Sequence, residues 1–76
     1  MPKRIFIGSV SVTTTDATIR TSFARFGTLV EAAIDRDVNG ASLGTAHAEY
    51  TTGHAGTDAI AAMNGTVLDG STITVS

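Results

Sequence analysis

Two spacings of apolar residues alternate along this chain. Arg4-Ile5-Phe6-Ile7-Gly8-Ser9-Val10 is β-branched and alternating, which predicts a strand with Ile5 and Ile7 inward and Arg4, Phe6 and Gly8 outward. Thr15 then offers a helix N-cap, and Ile19, Phe23 and Phe26 recur at helical spacing until Gly27 supplies a stop. From Val30 the period returns to two, with Val30, Ala32 and Ile34 expected inward and Glu31, Ala33 and Asp35 outward. Asp37-Val38-Asn39-Gly40 reads as a turn, and Leu43 to Tyr50 as the next, antiparallel strand, with Ala46, Ala48 and Tyr50 inward and Leu43, Thr45, His47 and Glu49 outward.

Thr57 to Met63 has the composition of a second helix, ended by Asn64-Gly65 and weakened at its start by Gly53 and Gly56. After the turn signal Val67-Leu68-Asp69-Gly70, Ser71 to Ser76 alternates as a last strand with Ile73 and Val75 inward. The order strand, helix, strand, strand, helix, strand is the split βαβ, ferredoxin-like arrangement: an α+β sandwich with two helices on one face of a four-stranded antiparallel sheet. Such a sheet has an open face, and function on this architecture has to be argued from that face.

The chain's 76 residues fit a single small domain, 1–76, whose elements share one core. No cysteine is present, so disulfides and thiolate metal sites are excluded, and the chain fits an intracellular reducing compartment. The longest apolar runs fall far short of a membrane span, and the start leads straight into a strand, so the reading is a soluble protein with no membrane partner. The net charge of -2 gives no general attraction to phosphate. Charged residues are 16% of the chain, against about 25% in ordinary proteins, and Thr and Ala fill the shortfall, as in Thr13-Thr14-Thr15-Asp16-Ala17-Thr18. A redesigned surface is one explanation of that composition.

Three stretches resemble the RNA recognition motif family. Ile5 to Val10 resembles its first-strand motif, with Ser9 where Asn is common; Phe23-Ala24-Arg25-Phe26-Gly27 resembles the end of its first helix; and Ala59 to Gly70 resembles its second helix and following turn. The family octamer reads K/R-G-F/Y-G/A-F-V-x-F/Y. Gly44, Ala46 and Tyr50 fit it, while Leu43 stands at the basic position and Thr45 and His47 at the two aromatic positions. The resemblance implies a sheet on which single-stranded bases stack, with Phe6 at the first-strand stacking position and Lys3 or Arg4 on phosphate. The RNA-binding set carried over is therefore Phe6, His47, Thr45, Leu43, Arg4 and Lys3.

Against that set stand two missing rings, worth roughly 2 to 6 kcal/mol of stacking, and Glu31, Asp35 and Glu49 on the same face. Arg20 and Arg25 belong to a helix behind the sheet, Arg36 to the central hairpin, and no tail beyond Ser76 is there to close over RNA. The sequence reading accordingly puts an RNA-recognition-motif scaffold, engineered or degenerate and with little or no RNA binding, ahead of a weak single-stranded RNA-binding module. A protein-interaction module using exposed Phe6 and Leu43 comes third. No cofactor, metal site or small-molecule substrate is expected, and a monomer is. His47 and His54 lie in different elements without a third ligand. An enzyme is not expected either: the anion-cradling loop of acylphosphatases and the Cys-x-x-Cys loop of metallochaperones, both on related folds, are absent.

Overall fold

The computed structural model describes residues 1–76. Its elements are β1 (Lys3–Gly8), α1 (Asp16–Phe23) running into a 3-10 turn (Ala24–Phe26), β2 (Leu29–Arg36), β3 (Ser42–Tyr50), α2 (Gly53–Met63), β4 (Val67–Leu68), β5 (Ser71–Thr72) and β6 (Thr74–Val75). The main sheet has the order β2-β3-β1-β6 with every neighbour antiparallel. Each helix links two parallel strands that have a third strand between them. The two crossovers travel in opposite directions across the sheet from strands of opposite polarity, so the right-handed rule applied to both places α1 and α2 on the same face. No helix is long and apolar enough to cross a membrane.

The expected inward residues of β1 and β3 supply the floor of the core. Ile5, Ile7, Ala46, Ala48 and Tyr50 are buried together with Ile34, Ile73 and Val75, against Ile19 and Phe23 of α1 and Ala55, Ala59 and Met63 of α2. Alanines at the centre of β3 let the helices lie close to the sheet. Tyr50 is fully buried, and its hydroxyl donates to the Phe23 carbonyl at the end of α1 at 2.7 Å. That bond satisfies a group that would otherwise be costly in the core, and burial pushes the phenol up to about 12.

Several local expectations are corrected. Val30 points outward and is 59% exposed, because Leu29 pairs with Tyr50 and Glu31 with Glu49, leaving Val30 as the extra residue of a β-bulge. Thr15 does cap α1 as expected, accepting from the Thr18 amide, while Thr14 just before it is buried with its hydroxyl on Asp69 at 2.7 Å. Gly27 is extended rather than left-handed. Its role is steric, since a Cβ there would sit 2.6 Å from the Ala55 Cβ of α2.

The second helix begins at Gly53, with Thr52 capping the Ala55 amide, and not at Thr57. Packing overrides the glycines' poor helix propensity: the aliphatic stem of Lys3 lies across Gly56, where a Cβ would meet the Lys3 Cδ at 2.7 Å. The last segment is two strands and not one. Ser71–Thr72 folds back on Val67–Leu68 through Asp69 and Gly70, both at positive φ, as a two-residue type I′ hairpin turn requires, and only Thr74–Val75 joins β1 in the main sheet. Ile73 and Val75 are nevertheless buried as expected.

Candidate nucleic-acid interface

The pairing registers arrange the open face in rows. Arg4 of β1 and Glu31 of β2 flank Glu49 of β3, and Phe6 and Ala33 flank His47. Phe6 also exchanges both backbone hydrogen bonds with Ser76, so its row runs across all four strand lines of the sheet. Beyond it, Thr74 is opposite Gly8, and the Thr45 hydroxyl donates to Asp35 Oδ2 at 2.7 Å. One row is thus charged, one carries the rings, and one is made of small residues ending in a carboxylate.

Phe6 keeps the outward place the sequence assigned it: the residue is 57% exposed at the middle of β1. An apolar ring left in water on the open face has no structural work in the core, because Ile5 and Ile7 fill that side.

His47 is neither a freely solvated residue nor a free stacking ring. Its side chain is only 13% exposed and is held at both nitrogens, Nδ1 on Asp35 at 2.6 Å and Nε2 on Glu31 at 2.9 Å. A neutral imidazole has one N–H and could serve only one carboxylate; two such contacts require the imidazolium. Burial pulls the imidazole down, but its hydrogen bonds to Glu31 and Asp35 outweigh that and the repulsion of Arg4, so its affinity for the proton is raised. The partners move the other way. The hydrogen bond from His47 leads in lowering Glu31, and the Thr45 hydroxyl, followed by His47, lowers Asp35. Arg4 reaches Glu31 at 3.4 Å and Glu49 at 3.5 Å and extends the network to β1.

Of the other expected residues, Thr45 lies on the open face, tied to Asp35. Leu43 is 59% exposed at the hairpin end of β3, beyond Gly44, whose φ of 76° breaks the regular strand. Lys3 is turned to the opposite side, over Gly56 of α2, so it is not brought together with Phe6. The remaining cations are also behind or beside the sheet. Arg20 donates to the Ala32 carbonyl, Arg25 stacks over Phe26 at 4.6 Å, and Arg36 lies 3.9 Å from Asp16 of α1. Carboxylates therefore outnumber cations on the open face.

An open depression of about 310 Å³ adjoins Phe6 and is lined by Gly8, Asp35, Thr45, Thr74 and Ser76 among others. Sequence reasoning did not select Gly8, Asp35, Thr74 or Ser76. The signal for Asp35 was present, since period-two alternation on either side of the Asn39-Gly40 turn puts it on the same face as Thr45 and His47.

An antiparallel sheet covered by helices on one side, with a ring and a polar depression on the other, defines a domain of the ferredoxin-like class. Residues 5–74 match the model of the RNA recognition motif, and the chain belongs to that family, a family of binding domains and not of enzymes. Among curated proteins it is similar to the chloroplastic organelle RRM domain-containing protein 1 of Zea mays, at 43% identity over 96% of this chain and 19% of that protein. It is also similar to the mitochondrial glycine-rich RNA-binding protein 2 of Arabidopsis thaliana, at 38% identity over 100% of this chain and 49% of that one. The chain thus spans about a fifth to a half of the length of these relatives.

Solved structures agree on the fold. The second RRM domain of the yeast poly(U)-binding protein superposes with a TM-score of 0.89 at 24% identity, covering 96% of this chain and 89% of that one. The Sex-lethal RNA recognition domains of Drosophila melanogaster give 0.91 at 24% identity, covering 96% of this chain and 47% of that one.

The expectation of an engineered or degenerate scaffold is overturned by the plant relatives, which carry closely similar sequence in natural proteins. The threonine-rich composition that suggested redesign has local explanations. Thr15 and Thr52 cap helices, Thr14 is bound to Asp69, Thr45 to Asp35, and Thr57 and Thr66 to the carbonyls of Gly53 and Met63.

Proposed function

We propose that the open face is a single-stranded RNA-binding surface in which one base stacks on Phe6 and neighbouring nucleotides cross the row of Phe6 and His47. The observation that carries this is the exposed Phe6 ring beside the depression, on the side of the sheet away from the core. Family membership and relatives named as RNA-binding proteins support it.

With one full aromatic ring instead of three, stacking supplies about 1 to 3 kcal/mol where a complete platform supplies several times that. Micromolar affinity needs about -8 kcal/mol, so the remainder must come from hydrogen bonds to base edges and sugars. Phosphate neutralisation contributes little, because Arg4 is the one guanidinium on this face and it is already paired with Glu31 and Glu49. His47 takes part as a fixed cationic ring. Its hydrogen bonds leave from the ring edge and leave the ring faces free of hydrogen bonds, but most of its surface is already covered by neighbours.

Titration of short single-stranded RNA at low salt, followed by amide resonances, tests the proposal. The Phe6, His47 and Ser76 amides are expected to shift while those of α1 and α2 stay still. An affinity that falls with salt no more steeply than one counterion's worth, a log-log slope of about -0.7, is expected alongside. Shifts confined to the helical face, or none at millimolar RNA, would sink it.

A further inference from the structure

We infer that the depression beside Phe6 is a base-reading subsite that selects a nucleobase offering N–H donors to Asp35, guanine first, and that disfavours uracil. The inference rests on the RNA-binding reading and adds to it the chemistry of the base.

The floor of the depression is low for an identifiable reason. Gly8, Thr45 and Thr74 are small, and a Cβ on Gly8 would lie 2.6 Å from the Thr74 Oγ1, so Thr74 leans into space that only glycine leaves open. Phe6 and Asp35 rise on either side of that floor. A volume of about 310 Å³ lies at the small end of ligand sites, about 300 to 1,000 Å³, which suits one base and its sugar and not an extended ligand.

Asp35 is the only charged side chain lining the depression. The Thr45 hydroxyl donates to its Oδ2 at 2.7 Å and His47 Nδ1 to its Oδ1 at 2.6 Å, so both oxygens are fixed in place. Each retains a lone pair, because an ionised carboxylate has about four acceptor sites and no donor. The group is consequently an oriented acceptor pair. It repels phosphate, so an RNA strand must present a base edge to it and keep its backbone away.

The edges of the four bases answer that demand unequally. Guanine presents N1–H and the N2 amino group side by side, a donor pair matched to the two oxygens of a carboxylate. Adenine and cytosine present one amino group beside a ring-nitrogen acceptor. Uracil presents one N–H between two carbonyls, which face the carboxylate with like partial charge, so repulsion of uracil adds to the attraction of guanine in setting the preference. Thr74 and Ser76 carry hydroxyls that both donate and accept, so they accommodate any base and leave the choice to Asp35.

The test is fluorescence anisotropy on uridine hexanucleotides with one central position varied as G, A, C, U or inosine, using the intact chain and the Asp35→Asn variant. Hydrogen bonds to a charged acceptor predict that G binds about tenfold or more tighter than U. Inosine, which lacks the N2 amino group, is expected between them and needs no change to the protein. In Asp35→Asn the G-over-U ratio is expected to shrink to under about threefold, a comparison made within the variant and so independent of any general change in its affinity. Equal affinity for G, inosine and U in the intact chain, or an undiminished G preference in the variant, overturns the subsite and leaves RNA binding standing. Failure of every oligonucleotide to bind overturns both.

Discussion

The two faces of β3 answer to different demands. On the helix side Ala46, Ala48 and Tyr50 are fully or almost fully buried, and each is fixed by the volume available and, for Tyr50, by one hydrogen bond to Phe23. On the open side Thr45, His47 and Glu49 are held by Asp35, Glu31 and Arg4, groups that are themselves partly wet. Residues one position apart thus belong to separate problems. The inward set determines whether the chain folds, and the outward set determines what the folded sheet can hold. A family octamer can therefore lose two outward rings and still keep a core-facing side that packs, which is the condition of Leu43 to Tyr50 here.

Rings on opposite faces test that division most severely. Phe23 has no exposed surface and packs in the core cluster. Phe23→Ala is expected to cost about 3 to 5 kcal/mol, a large part of the roughly 5 to 15 kcal/mol that holds a domain folded, read as a drop in the urea midpoint. Phe6→Ala, on the open face, is expected to leave that midpoint within about 0.5 kcal/mol of the parent. It should instead weaken RNA by about 1 to 3 kcal/mol, or roughly 5- to 150-fold. A Phe6 variant that unfolds as readily as a Phe23 variant would erase the distinction between the faces.

The sequence was legible where one residue faces one environment. Alternation in β1 and β3 placed Ile5, Ile7, Ala46, Ala48 and Tyr50 inward, and they are buried. It failed where an extra residue breaks the count, as at Val30, because a bulge is set by how two strands register and has no signature within either strand alone. It also failed where packing rescues poor propensity: nothing local to Gly53-His54-Ala55-Gly56 announces that Lys3, some fifty residues earlier, will cover Gly56.

On the open face the sequence identified which residues point outward, Glu31, Asp35, Thr45 and His47 among them, but not that they would bond to each other. That is a cross-strand property. It turned an apparent vacancy at the two ring positions into a hydrogen-bonded network, and it turned Asp35 from an adverse charge into an oriented acceptor. The surplus of threonine misled for a different reason. Its capping and side-chain bonds reach partners that composition cannot show.

The smallest effect expected is also the one that separates the faces by pH. His47 binds its proton more tightly in the folded chain than its ordinary 6.5. Its contribution to stability is therefore complete below that value and is lost as pH rises through the raised folded value. Glu31 and Asp35 are lowered from 4.5 and 3.8, so their contributions are complete above those values and are lost as pH falls through the lowered ones. All three act together between about 4.5 and 6.5. The thermal midpoint is expected to be highest in that window and to decline by a few degrees at most on going to pH 8, with His47→Gln flattening the alkaline side. Because Tyr50 on the other face is pushed up to about 12, the core supplies no titration in this range. A decline that persists in His47→Gln would place its origin outside the open-face network.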